Sequence, residues 1–315
     1  MLKVRDGGLS GEELQKNIRK WLSPPDPWKN HNIARESQHS GTATWWIHGE
    51  TFSKWKHSGP SSLLWLHGKR QSLRCQYFST THHFRHFSRS REERSLVQES
   101  LRVFPSETNK PPSLSSSIIQ NVRGMCELGL ASLAFYYCDF REDQKRHRRG
   151  LLSSLLVQLC RQSDAYYDAL SKFYLAHDHG SKHASDSELG QCLMQLLALP
   201  GQATTHIVID GLDECPITSG LSSPREEILD FVKELIKLHF PNLRICVTSR
   251  PEADIELVLS PLAFCSVSLH GENGQVQDIE EYVKYVVNTD SKMQKWRKED
   301  KELVIQVLTR KAGGM

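Results

Sequence analysis

The sequence predicts an α/β protein: a mostly parallel sheet with helices on both faces. Three observations carry that expectation. The runs LASLAFYYCDF, THIVID and NLRICVTS are apolar on both faces, as strands buried from two sides must be. They alternate with longer segments of helical period such as RRGLLSSLLVQLCRQ and PREEILDFVKELIKLH. The chain has 315 residues, 38% of them hydrophobic, enough for one large or two ordinary domains with real cores.

In order along the chain, SGEELQKNIRKWL reads as a short helix. Ser10 and Glu13 stand at capping-box spacing ahead of apolar residues at helical intervals. Ser23-Pro24-Pro25-Asp26-Pro27 cannot continue that helix, and a polar loop is expected through His39-Ser40-Gly41-Thr42. A Trp-rich segment follows (Trp45, Trp46, Phe52, Trp55) and is read as core packing; Ser61 to His67 is a short buried strand. From Ser113 the rhythm is regular. SLSSSIIQNVRGM and SDSELGQCLMQLLAL are helices, FCSVSLHG is a last strand, and DIEEYVKYVVN begins a final helical stretch, about 278 to 312. The strands are expected near 62–67, 131–139, 205–210, 243–248 and 264–269.

Composition excludes several classes. A net charge of +3 and a pI of about 8.4 give no whole-chain argument for nucleic acid or an anionic membrane. Eight cysteines are scattered singly with no CxxC, which fits a reducing compartment. Neither a charged-then-apolar leader nor a run of 18 apolar residues occurs, so a cytoplasmic address without a membrane span is expected. His82, His83 and His86 have two imidazoles at helical spacing, but no Glu or Cys completes a metal set. HFRHFSRSREERS mixes basic and aromatic residues, yet two phenylalanines without a sheet platform stack bases poorly, so nucleic acid is not an expected partner.

The strongest chemical signal is THIVIDGLDECP. A β-branched run ends in Asp210, and Asp213 and Glu214 follow, gathering three carboxylates at the carboxyl end of a buried strand. In open α/β sheets that edge is where ligands bind. One reading is a strand followed by a solvated acidic turn. The other is a Walker B site: Asp210 is the metal residue, holding Mg²⁺ through its water shell, while Asp213 or Glu214 polarises the attacking water of phosphoryl transfer. NLRICVTSRPE ends a second buried strand in Thr248-Ser249-Arg250. From there Arg250 can reach a γ-phosphate; alone, it also reads as an ordinary surface arginine.

These segments carry a resemblance. WLSPPDP, GTATWWIHGETFSKW, SSLLWLHGK, SLAFYYCDFREDQK, HIVIDGLDEC, RICVTSRPE and LTRKAGGM are similar to the NACHT-type P-loop NTPase domain of fungal receptor-like proteins, also described as a nephrocystin-like N-terminal domain. The likeness covers nearly the whole chain except residues 70 to 112. It implies a five-stranded parallel sheet in the order 5-1-4-3-2, which right-handed crossovers also favour. It further implies ATP or GTP with Mg²⁺ as cofactor, and a signal-transduction NTPase whose nucleotide state controls homo-oligomerisation and an unknown protein effector. The division it suggests is a helical leader and linker (1–45), the NTPase domain (46–275) and the start of a truncated helical lid (276–315). Asp210, Asp213, Glu214 and Arg250 are expected near one another, facing Gly68.

Gly68 takes the place of the first glycine of G-x-x-x-x-G-K-[ST], whose backbone amides and lysine hold phosphates. The loop then fails. No glycine occurs from Lys69 to Arg123, and 44 residues separate Gly68 from Ser113 where the motif leaves about six. By the likeness, Pro111 and Pro112 occupy the lysine and hydroxyl positions; Lys110 has no glycine loop behind it. Residues 70–112 carry eight Lys/Arg against four Glu, a local charge of +4 in an otherwise slightly acidic chain, and their composition predicts disorder. Misread or retained non-coding sequence in place of the loop would account for them. The expectation is an NTPase module with impaired chemistry; the alternative is a non-catalytic protein-interaction module derived from one.

Overall fold

The computed structural model of the chain describes residues 11–36, 43–68, 114–218, 222–269, 273–291 and 293–313. The expected capping residue Ser10, the tip of the polar loop at 37–42, and all of the inserted stretch 70–112, with Lys110, Pro111, Pro112 and the His82–His86 group, lie outside the described residues.

Four helices precede the sheet: α1 (Gly11–Leu22), α2 (Pro27–Glu36), α3 (Thr44–Ile47) and α4 (Glu50–Lys56). Strand β1 (Ser62–His67) and helix α5 (Leu114–Glu127) flank the inserted stretch. Then come β2 (Ala131–Tyr137), α6 (Arg148–Cys160), α7 (Asp164–Ala176), α8 (Asp186–Leu197), β3 (Thr204–Asp210), α9 (Pro224–Lys237), β4 (Leu243–Ser249), α10 (Ala253–Leu259) and β5 (Cys265–Ser268). Helices α11 (Asn273–Thr289) and α12 (Lys298–Gly313) close the described chain.

All pairings are parallel, and the order is β2-β3-β4-β1-β5, the expected 5-1-4-3-2 in reverse. Ile245 sits mid-sheet between Ile207 of β3 and Leu63 of β1. On one face Leu63, Trp65, Tyr136, Ile207 and Val247 pack against α6, α8 and α9; on the other, Leu64, Leu66, Phe135 and Val208 meet Phe52, Trp55, Ile118 and Ile119. Burying each such side chain contributes about 1.5–3 kcal/mol, which is why runs apolar on both faces become central strands here. Ile18 and Leu22 of α1 belong to the first core, so the leader packs against the body of the protein. A separate small cluster, Tyr282, Val283, Val287, Met293, Val304 and Leu308, joins α11 to α12.

One local reading is corrected, and several helices appear where none was expected. The Pro-rich stretch ends α1 but starts a new helix instead of a loop: Pro27 takes the first position of α2, where its missing N–H costs nothing, and Asp26 Oδ1 accepts the Trp28 N–H at 2.9 Å. The Trp-rich segment folds as α3 and α4, with Trp46, Phe52 and Trp55 in the core as expected. Helices α7 and α10 stand where no helix was expected; α7 is capped by Ser163, whose Oγ accepts the Tyr166 N–H. No helix among the described residues is long and apolar enough to cross a membrane. The seven described cysteines are free thiols.

Candidate functional site

Three strands end side by side at the carboxyl edge: β3 at Asp210, β4 at Ser249 and β1 at His67, with β4 in the middle. Asp210 is half-buried. Its Oδ1 accepts from Thr248 Oγ1 at 2.5 Å, and that same hydroxyl oxygen accepts the Gly211 N–H at 3.0 Å. The first carboxylate is therefore fixed from the neighbouring strand.

Gly211 then turns the chain. Its φ of 71° lies in the left-handed region that favours glycine, and a Cβ there would come 3.5 Å from both the Cys138 carbonyl and Glu214 Oε1. A 3₁₀ turn, Leu212–Glu214, follows, and its two acidic residues part ways. Asp213 folds back onto β4: Oδ1 accepts the Arg250 N–H at 3.1 Å, and Oδ2 pairs with Arg250 Nε at 3.2 Å. Burial pushes the Asp213 carboxyl above its usual range, against the hydrogen bond and charge of Arg250. Glu214 reaches the other way, toward the loop after β2, where Oε2 accepts the Phe140 N–H at 3.4 Å.

Sequence reasoning missed the residue that braces this turn. Arg225, in the first turn of α9, has a side chain only 6% exposed. Its Nε donates to the Cys215 carbonyl at 2.9 Å, Nη2 to the Asp213 carbonyl at 2.5 Å and Nη1 to Glu252 Oε2 at 2.5 Å. One guanidinium thus spans the β3 turn, α9 and the start of α10, a reach its planar fork of donors suits. Nothing in the helical period of PREEILDFVKELIK marks Arg225 as inward-facing.

The N-terminal end of α5 lies on the same side. The buried Tyr137 phenol at the end of β2 bonds His31 Nδ1 of α2 at 3.1 Å. Burial and then the Asp210 charge push this phenol up, while a hydrogen bond to Ser115 of α5 opposes them. Ser115, Ser116 and Ser117 are all buried. Gly68, also buried, is the last described residue before the inserted stretch.

The four expected residues therefore lie at the adjoining ends of β3 and β4: Asp213 pairs with Arg250, Asp210 is held by Thr248, and Glu214 turns toward Phe140. Among the described residues no three His, Cys, Asp or Glu side chains gather as a metal-binding set. A lone carboxylate at a strand end fits Mg²⁺, which keeps most of its water and takes one or two carboxylates beside a substrate phosphate. The described residues supply no lysine and no glycine loop for that phosphate.

No curated protein matches the chain. Residues 113–250 match the family described as Nephrocystin 3, N-terminal, a span that starts where the inserted stretch ends, contains β2, β3 and β4, and stops at Arg250, so that Asp210, Asp213, Glu214 and Arg250 all fall within the part of the chain similar to that family.

Proposed function

We propose that this chain is a NACHT-type nucleotide-binding module, of ATPase or GTPase ancestry, whose phosphate-binding half is interrupted and whose turnover is therefore impaired. The observation that carries the reading is the Asp210–Thr248 pair, a strand-end carboxylate fixed from the central neighbouring strand at the sheet edge where such modules bind nucleotide. Asp210 would hold hydrated Mg²⁺, which supplies charge neutralisation at the phosphates. Asp213 is paired with Arg250, and Glu214, turned toward the loop after β2, would accept a proton from an attacking water. Arg250 Nε is tied to Asp213, while its two terminal nitrogens make no hydrogen bond among the described residues and would face a γ-phosphate.

The likeness to receptor-type modules further suggests that nucleotide state acts on the C-terminal helices and through them on oligomerisation. Asp278 of α11 supports such a link: its Oδ2 accepts the Ala43 N–H at 2.7 Å and the Trp45 indole N–H at 2.9 Å, tying α11 to the body.

Glu214→Gln tests the catalytic part. A water-polarising carboxylate commonly carries about 10²–10⁴ in rate, whereas a partly exposed turn residue moves stability by about 0.5 kcal/mol or less. Residual NTP turnover is expected to fall by at least that lower factor while the thermal midpoint stays put. Parallel loss of turnover and stability would instead assign Glu214 to the structure and favour an interaction module without chemistry.

A further inference from the structure

Two thiols from distant parts of the sequence meet beside the acidic turn. Cys138 is the first residue after β2, and its N–H donates to the Asp210 carbonyl at 2.9 Å, extending the pairing of β2 with β3 by one bond. Cys215 directly follows the 3₁₀ turn. Its N–H donates to the Leu212 carbonyl at 3.1 Å, and its own carbonyl is held by Arg225 Nε at 2.9 Å. Both side chains are enclosed, 1% and 0% exposed, and the Cys138 thiol is hydrogen-bonded to that of Cys215. Anchored backbone on each side therefore holds two free thiols against one another.

The surroundings keep the pair reduced while the turn is closed. Contact with Cys215, then burial and the nearby Asp210 and Asp213 carboxylates, raise the Cys138 thiol well above its ordinary value, so little thiolate forms there. The enclosure is shallow. Phe140 and Ile217, each two residues beyond one of the thiols, are more than half exposed, and Gly211, Asp213 and Glu214 are half-buried. Local opening of the turn, without unfolding of the sheet, uncovers both sulfurs. Cys160 of α6 and Cys192 of α8 share the same core, but the Cys160 thiol donates to the Val157 carbonyl of its own helix at 3.3 Å.

We propose that Cys138 and Cys215 form a reversible oxidation site: hydrogen peroxide joins them in a disulfide that clamps the loop after β2 to the Asp210–Glu214 turn, and a dithiol reductant releases it. One sulfur attacks the O–O bond and becomes a sulfenic acid as the first water leaves. The second sulfur then attacks the sulfenic sulfur; the S–S bond forms, the S–O bond breaks, and the hydroxyl departs with the thiol proton as a second water. Two thiols are oxidised and one peroxide is reduced to two waters. Release runs by thiol–disulfide exchange through a mixed disulfide, the dithiol ending as its own disulfide. Glu214 adjoins Cys215 and already accepts the Phe140 N–H, so the clamp fixes this carboxylate toward the loop after β2. The crosslink forms whether or not the chain turns over nucleotide, and its test reads no activity.

The test treats the full chain with hydrogen peroxide, alkylates the remaining thiols in denaturant and maps linked peptides by fragmentation mass spectrometry. The expected result is a Cys138–Cys215 link, two fewer alkylated thiols per chain, and full reversal by dithiothreitol. Amide exchange across Leu212–Cys215 should slow at least about tenfold in the linked protein. Cys138→Ser and Cys215→Ser should each abolish the link; because either serine could loosen the core, mapping of the unaltered chain decides on its own. Sulfenic or sulfinic acids without a link, a Cys160–Cys192 link in its place, or a Cys138–Cys215 link that forms only in unfolding concentrations of urea would overturn the proposal. Unchanged exchange across the turn in the linked protein would overturn the clamp.

Discussion

Thr248 Oγ1 lies 2.5 Å from Asp210 Oδ1 and 3.0 Å from the Gly211 nitrogen, so one buried hydroxyl on β4 ties down both the last residue of β3 and the turn that follows it. Thr248→Val keeps the shape and removes the hydroxyl, leaving a carboxylate oxygen and an N–H without that partner. The expected cost is about 1–3 kcal/mol in urea unfolding, with Thr248→Ser recovering most of it. A stable Thr248→Val beside a destabilised Thr248→Ser would mean that the methyl group, not the hydroxyl, matters.

Arg225 is the second brace. Arg225→Met preserves the length of the side chain but abandons Glu252 and the carbonyls of Asp213 and Cys215, at an expected cost of about 3 kcal/mol. Arg225→Lys should recover only part, because a single ammonium cannot span three acceptors set around a planar fork. The urea midpoints of the three proteins decide it; wild-type stability in either variant would remove Arg225 from the account.

What was legible and what was not follows from this geometry. Strands buried on both faces announce themselves as apolar runs, which is why β2, β3 and β4 could be read in advance; the strand order came from the family likeness and the preference for right-handed crossovers. The acidic cluster at Asp210, Asp213 and Glu214 was equally visible as a pattern. Its internal wiring was not: a pattern cannot tell that Asp213 turns back to Arg250 while Glu214 turns toward Phe140, since both follow from the left-handed turn at Gly211. Arg225 looks like any charged residue in a helix's first turn until α9 is docked. Helix α2 was hidden by proline, which signals a break and a first helical position equally well.

Acid should destabilise the fold well above the carboxylate range. Burial, followed by nearby Arg35 and Arg123, lowers the His31 imidazole to about 4; burial and Arg244 lower His206 to about 4 as well. The unfolded chain takes up these protons near pH 6.5 while the folded chain refuses them, so stability is full above that pH and falls as pH drops toward 4, by at most about 1.4 kcal/mol per unit for each histidine. Asp139 adds a later loss. Its burial alone would raise it, but hydrogen bonds from Arg141 and Asn30 outweigh that and hold it well below the usual carboxylate range, so its contribution disappears below about pH 4. Thermal midpoints from pH 7 to 5 should fall, and His206→Leu should remove about half of the change whatever it does to absolute stability. A pH-independent midpoint would contradict the burial of both rings.

The central claim concerns the stretch between Gly68 and Ser113, which has no glycine and carries Pro111 and Pro112 at the positions that the likeness gives the motif's lysine and hydroxyl. Charge-assisted contacts to the β- and γ-phosphates contribute about 1.5–3 kcal/mol each, so their loss moves micromolar affinity to millimolar or weaker. Arg70, Arg74 or Lys110 could supply replacement charge, but no glycine stands beside them to bring backbone amides close to the phosphates. The most direct measurement is calorimetry of Mg²⁺-ATP and Mg²⁺-GTP binding to this chain and to one in which residues 69–113 are replaced by a short glycine loop ending in Lys-Ser. Micromolar, Mg²⁺-dependent binding in the repaired chain alone is the predicted result; micromolar binding by the chain as it stands would contradict it.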